Sequence, residues 1–229
     1  MDSPGAAGRS GDVLRLLAPL ATAVALAAAA PAPARMSDFP GRPPLPSEPP
    51  AVARPSAALG QPWAGRLRHG RLLPAAGAGY RTWDPILKRS PGRPWRRHGT
   101  DRLVRALRTI LARHRAAHPG APPVLVGDLS RPRGGDFGPR FGGIGHASHQ
   151  NGLDADVYYP RTDGRPRPPR VPRQVDRAGA QALVDAFVAA GAVRVFVGSS
   201  LHLRGPPRIV QVLAHHDNHL HVRLPRSAP

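Results

Sequence analysis

The 229-residue chain contains no cysteine. Disulfides are therefore excluded, and so is any thiolate metal site. Any metal would have to rest on imidazole and carboxylate donors. Aromatic residues make up only 5% of the chain, and no nucleic-acid-binding motif is recognisable, so a nucleic-acid partner is not expected. Lys88 is the only lysine, which leaves arginine to carry nearly all the positive charge. Acidic residues number 14 against 33 basic ones, for a formal net charge of +19. Such a balance favours polyanionic partners, among them acidic cell-wall polymers. The arginines are scattered, however, and Arg, Ala, Pro and Gly are all enriched by a GC-rich coding sequence. The glycine-rich stretch Arg131–Gly145 has no Gly-Lys-Ser/Thr ending, which excludes a phosphate-binding P-loop.

The longest apolar run, Leu16–Ala30, contains Pro19 and falls short of the roughly 20 residues of a membrane span. Arg9 and Arg15 precede it, and small-x-small sites follow at Ala28–Ala30 and Ala32–Ala34. That order is the secretory pattern, so residues 1–34 are expected to be a signal peptide and the protein to act outside the cytoplasm. A start at Met36 is the alternative. Residues 35–56 are proline-rich without apolar periodicity and are expected to be a linker, with the globular domain over 57–229.

Leu103, Leu107, Ile110 and Leu111 recur at helical spacing in Asp101–His118, with Thr100 as a cap and Pro119-Gly120 as a stop. A second helix is expected over Asp176–Ala192. Pro123–Ser130, "DADVYY" from Asp154, "VRVFVG" from Val193, "RIVQVL" from Arg208 and "HLHVRL" from His219 carry strand patterns. Helices do not alternate strictly with strands, which points to an α+β fold with a mainly antiparallel sheet and flanking helices.

Side chains of a strand alternate between faces. His219 and His221 therefore share one face, opposite Leu220, Val222 and Leu224. Asp154 and Asp156 likewise share a face, opposite Ala155 and Val157. If the two strands are neighbours, imidazoles and carboxylates share one surface, and His149 reaches it from the preceding loop. His149, Asp156 and His221 would form a His₂Asp set suited to zinc, with a fourth position left for water. His146, Asp154, His216, Asp217 and His219 would orient these ligands or act on protons. His69, His98, His114, His118 and His202 are expected to be ordinary surface residues. Spacing alone does not name a reaction.

The segments "GHASHQNGLDADV" and "HDNHLHVRL" resemble the penicillin-insensitive murein endopeptidases. These belong with lysostaphin-type enzymes, D-Ala-D-Ala peptidases and the hedgehog domain in a wider group whose pattern is His, six residues, Asp, and later His-x-His. Here that pattern is His149, Asp156 and His219-Leu220-His221. The likeness extends upstream into "VGDLSRPRGG" and "GRLRHGRLLPAAGAGY". It implies a hedgehog/D-Ala-D-Ala-peptidase-like fold and a Zn2+ ion held by His149, Asp156 and His221. It further implies His219 as catalytic base or transition-state stabiliser, assisted by His216, with His146 lining the site and Asp154 supporting it. The implied reaction is hydrolysis of the D-alanyl–diaminopimelate cross-links of peptidoglycan. A D,D-carboxypeptidase on the same site, or a non-catalytic wall-binding zinc protein, are the alternatives.

Overall fold

The computed structural model describes residues 54–139 and 146–226. The expected signal segment and most of the expected linker lie outside them. In chain order the elements are β1 (Ala57–Gln61), β2 (Ala64–Arg68), β3 (Arg71–Leu72), β4 (Ala76–Gly77), β5 (Tyr80–Thr82), β6 (His98–Gly99), α1 (Asp101–Ala117), β7 (Val124–Val126), β8 (Asp154–Tyr158), α2 (Arg177–Ala189), β9 (Arg194–Val197), β10 (Val210–Val212) and β11 (His219–Arg223).

Seven strands form the central sheet in the order β10-β9-β11-β8-β7-β5-β4. The pairs β10–β9 and β5–β7 are parallel, and the other pairings are antiparallel. The fold is thus α+β, with a mixed sheet that is antiparallel where it matters most, at β11 between β8 and β9. β1 and β2 make a separate hairpin, and β3 pairs with β6.

The helices form where the apolar spacing requires. Thr100 caps α1 by accepting a hydrogen bond from Leu103 N, and Leu103, Leu107, Ile110 and Leu111 are buried along one stripe. Asp176 caps α2 by accepting from Ala178 N and Gly179 N, and Leu183, Val184 and Phe187 are its buried face. α2 stops at Ala189, before the expected end at Ala192, and Gly191 follows at φ +81°. His114 departs from its expected surface placing: it sits on the inward stripe of α1. Both helices share one apolar core with Ala155 and Val157 of β8, Val195 and Val197 of β9, and Leu220 and Val222 of β11. The opposite face of these strands is left for polar groups. No described helix is long and apolar enough to cross a membrane.

Leu220 is fully buried between the two histidines of β11. Leu220→Ala should lower unfolding stability by about 2–5 kcal/mol, as a core truncation does. A urea titration of both proteins measures this directly. A loss under about 1 kcal/mol would mean that β11 is not anchored by its apolar face.

Candidate metal centre

Register decides which side chains meet. β8 and β11 pair with Tyr158 opposite His219, Asp156 opposite His221 and Asp154 opposite Arg223. On the other side of β11, Phe196 of β9 stands opposite His221. Alternation puts all of these on the face away from the helices.

Asp128 joins this face through a bulge. Gly127 N donates to Asp156 O at 2.9 Å, and Asp156 N donates to Asp128 O at 2.9 Å. Two residues of one strand thus oppose one of the next, which turns the side chain after Gly127 to the other face. Simple alternation from Val124 and Val126 would have sent Asp128 into the core. The carboxylate, 1% exposed, instead accepts from Arg96 Nε at 2.6 Å and from His146 Nε2 at 2.7 Å.

His149 is held by its backbone as well as its ring. Its φ is +68°, a region that a residue with a side chain enters only when its surroundings enforce it. Its N–H donates to Asp154 Oδ2 at 3.0 Å, and Nδ1 donates to Leu129 O at 2.5 Å. A carbonyl only accepts, so the proton sits on Nδ1 and the lone pair of Nε2 points into the site. On His221, Nε2 lies 3.4 Å from Asp154 Oδ1 without forming a hydrogen bond, and Nδ1 faces Asp156 Oδ1 at 3.2 Å.

Three donor atoms converge as a result. His149 Nε2 is 3.2 Å from His221 Nδ1 and 3.3 Å from Asp156 Oδ1, and His221 Nδ1 is 3.2 Å from that same oxygen. Ligands about 2.0–2.1 Å from a tetrahedral ion stand about 3.3 Å apart, so the triangle matches one face of a zinc tetrahedron. His146 also has a ring nitrogen near this group: one donor atom each from His146, His149 and Asp156 lie within 4.8 Å of one another. His146 Nε2, however, is spent on Asp128 and lies 3.8 Å from Asp156 Oδ2. The His149–Asp156–His221 triangle is the tighter fit.

His219 Nδ1 pairs with Asn218 Oδ1 at 2.6 Å, leaving Nε2 to face Asp156 Oδ1 at 3.7 Å. The ring of His216 lies 4.8 Å from that of His219, with its Nδ1 donating to Ala214 O at 2.7 Å. The six residues His146, His149, Asp154, Asp156, His219 and His221 thus share one centre, and His216 stands at its rim. Asp217 turns away: its carboxylate accepts from Ser200 N at 3.2 Å. A cleft of about 770 Å³ opens over the centre, with Trp63 from the β1–β2 turn, Phe196 and Leu213 among its walls. Asp128, Arg96 and Trp63 were not marked by sequence patterns, although Gly127 inside a strand pattern is a bulge signal.

The electrostatics are those of a crowded, buried site. Burial works against the charge on Asp156, yet His149, His219 and His221 hold it well below the usual carboxylate range. Burial likewise opposes a charge on His221, but Asp154 and Asp156 outweigh it and push that imidazole up to about 9. Burial lowers His149. Burial also takes His219 down to about 4, helped by the neighbouring imidazoles and opposed by Asp156.

A family model described as penicillin-insensitive murein endopeptidase matches residues 58–197, which include His149 and Asp156 but end before β11. A penicillin-insensitive murein endopeptidase of Haemophilus influenzae is 38% identical over 88 residues, covering 38% of this chain and 26% of that protein. Proteins of the same name from Salmonella paratyphi B and Salmonella newport are each 51% identical over 45 residues, 20% of this chain and 15% of theirs. The chain thus aligns with about a quarter, or less, of the length of these relatives.

The raised His221 has a measurable consequence in metal-free protein. Its charge stabilises the fold fully below the ordinary value of 6.5, and that stability is lost as pH rises through about 9. Chelator-treated protein should therefore show a falling melting temperature between pH 6.5 and 9, and His221→Gln should flatten the slope. The effect is on the order of 3 kcal/mol at most. A flat profile in the unmutated protein would mean that His221 stays neutral.

Proposed function

The chain belongs to the penicillin-insensitive murein endopeptidase family, and from that premise we propose that it is a zinc-dependent hydrolase of peptide cross-links in peptidoglycan. The observation that carries the reading is the triangle of His149 Nε2, His221 Nδ1 and Asp156 Oδ1, with edges of 3.2–3.3 Å. Imidazole and carboxylate donors suit zinc, and the fold supplies no thiolate. When bound, such an ion supplies a water of lowered pKa and a Lewis acid for a carbonyl oxygen.

The chain's own residues then have distinct tasks. Asp154 holds the backbone N–H of His149 and sets a negative charge beside the ring of His221. His219, kept neutral by its surroundings, offers Nε2 as the proton acceptor above the triangle. Asn218 holds its Nδ1, and His216 stacks beside it. The same imidazole, once protonated, can return the proton to the leaving amine. His146 is held by Asp128, and Arg96 holds Asp128 in turn.

An internal cross-link fits the cleft better than a free terminal carboxylate. Among the described residues lining it, Arg223 is the only guanidinium, and its Nε is already committed to Asp154 Oδ1 at 2.6 Å. A carboxypeptidase would need an available cation for the terminus. The proposed bond is the D-alanyl–diaminopimelate amide, and the proposed place of action is the cell wall, reached through the signal-like residues 1–34.

Metal content by mass spectrometry, beside digestion of purified cross-linked peptidoglycan with and without chelator, tests this reading. One zinc per chain and chelator-sensitive conversion of dimeric muropeptides to monomers are expected. Zinc without digestion, or digestion unaffected by chelator, would reject it. His149→Ala and His221→Ala should each lose zinc and activity together. His219→Ala should keep zinc while kcat falls by about 100-fold or more. If His146→Ala loses the ion and His221→Ala keeps it, the other triad is the metal site.

A further inference from the structure

We infer that a second cleft, built on the same β1–β2 hairpin, binds free carboxylates of the peptidoglycan whose cross-links enter the first. The inference rests on the proposed function for the identity of the polymer. The cleft measures about 780 Å³ and is lined by Arg66, Arg68, His69, Arg131 and Arg133, with no acidic residue among the described lining. Arg66 and Arg68 lie on one exposed face of β2, about 7 Å apart by strand geometry, while Leu67 between them is buried.

The arginines are gathered by backbone bonds. Arg66 bridges Gly134, Leu67 N donates to Arg133 O at 3.0 Å, and Gly135 N donates to Gly65 O at 3.1 Å. Gly134 has φ +66°, and a Cβ there would come within 2.1 Å of Gln150 O, so a side chain at this position would break the groove.

Some arginines of this chain, Arg71, Arg93, Arg96, Arg161 and Arg223, each hold an aspartate. Among the described residues, Arg66, Arg68 and Arg133 form no ion pair, while Arg131 donates to Asp136 O at 2.9 Å. Like charges held in one groove repel, and an anion relieves that cost. The planar guanidinium fork matches a carboxylate with two parallel hydrogen bonds.

The walls of the groove and of the first site are tied together through the backbone. Gly135 N donates to Gln150 O and Gln150 N donates to Pro62 O, both at 2.9 Å. Gln150 follows His149, and Pro62 precedes Trp63 in the wall of the first cleft. A polymer bearing carboxylates at every uncross-linked stem can occupy both clefts at once, which raises its effective affinity without a new contact at the reacting bond.

The test is co-sedimentation of the full chain with insoluble peptidoglycan freed of phosphate polymers by acid. The groove variant R66Q/R68Q/R133Q is compared with R105Q/R108Q/R113Q, which removes the same charge from the exposed face of α1. The groove variant should bind about tenfold or more weakly at low salt, and the α1 variant within about twofold of the unmutated protein. Carbodiimide amidation of the polymer should bring the unmutated protein down to the groove variant's level. Hydrolysis of a soluble cross-linked dimer should be the same in all three proteins. Equal loss in both triple variants would reduce the effect to net charge and overturn the site, as would unchanged binding by the groove variant. Binding only to phosphate-bearing walls would overturn the carboxylate assignment. If the unmutated protein fails to cleave the dimer, the proposed function falls, and the binding comparison still decides the groove.

Discussion

The centre of this protein depends on the register between β8 and β11. With Asp156 opposite His221, the polar set Asp154, Asp156, His219 and His221 lies on one face and the apolar set Ala155, Val157, Leu220 and Val222 on the other. A slip by one residue would exchange the faces of one strand relative to the other. It would drive two imidazoles against α1 and α2 and expose two branched apolar side chains, each worth about 1.5–3 kcal/mol when buried. The hydrophobic core therefore does more than hold the sheet together. By fixing which residues face away from the helices, it also brings the polar side chains of β8 and β11 to one face.

Asp154 extends that order from the sheet to the loop. Its carboxylate is fully buried and meets three groups on two segments: the backbone N–H of His149 in the loop, and the imidazole of His221 and the guanidinium of Arg223 on β11. The left-handed backbone of His149 would be strained in isolation, and this hydrogen bond, with Gln150 N bound to Pro62 O, holds it. Leu129 O then selects the tautomer that leaves Nε2 bare. Loop, hairpin and sheet are thereby joined around one histidine, so a side chain carried on a loop is held against those of the strands.

What could be read from the sequence was what periodicity determines. The alternation in "DADVYY" and "HLHVRL" gave the shared faces of Asp154, Asp156, His219 and His221, and the spacing in α1 and α2 gave their buried stripes. Asp128 was not legible because the bulge at Gly127 reverses its face, and a period of two cannot report a residue that breaks the period. Arg96 was not legible for a different reason. A fully buried arginine is rare, and one in a stretch as basic as "RPWRRH" looks like surface until its carboxylate partner, 32 positions away, is found. His114 was misread by residue type, although its place four after Ile110 and three after Leu111 continues the apolar stripe. The β1–β2 hairpin was missed because Gly60, Gly65 and exposed arginines dilute its alternation.

Charge balance links these features to the chemistry. Asp128, Asp154 and Asp156 are all nearly inaccessible and lie within one connected network. Arg96 and Arg223 neutralise Asp128 and Asp154, which leaves Asp156 without a permanent cation of its own. Its nearest neighbours are imidazoles, and in metal-free protein the compensation falls on a proton at His221, lifted to about 9 against the cost of burial. A protonated His221 and a bare His149 Nε2 at 3.2 Å can share that proton, so the triangle is tolerable without an ion. A divalent cation would replace the proton, satisfy all three donors and supply the charge that the buried carboxylate lacks. The same close approach of two imidazoles and a carboxylate is what suits the centre to a small ion bound by nitrogen and oxygen.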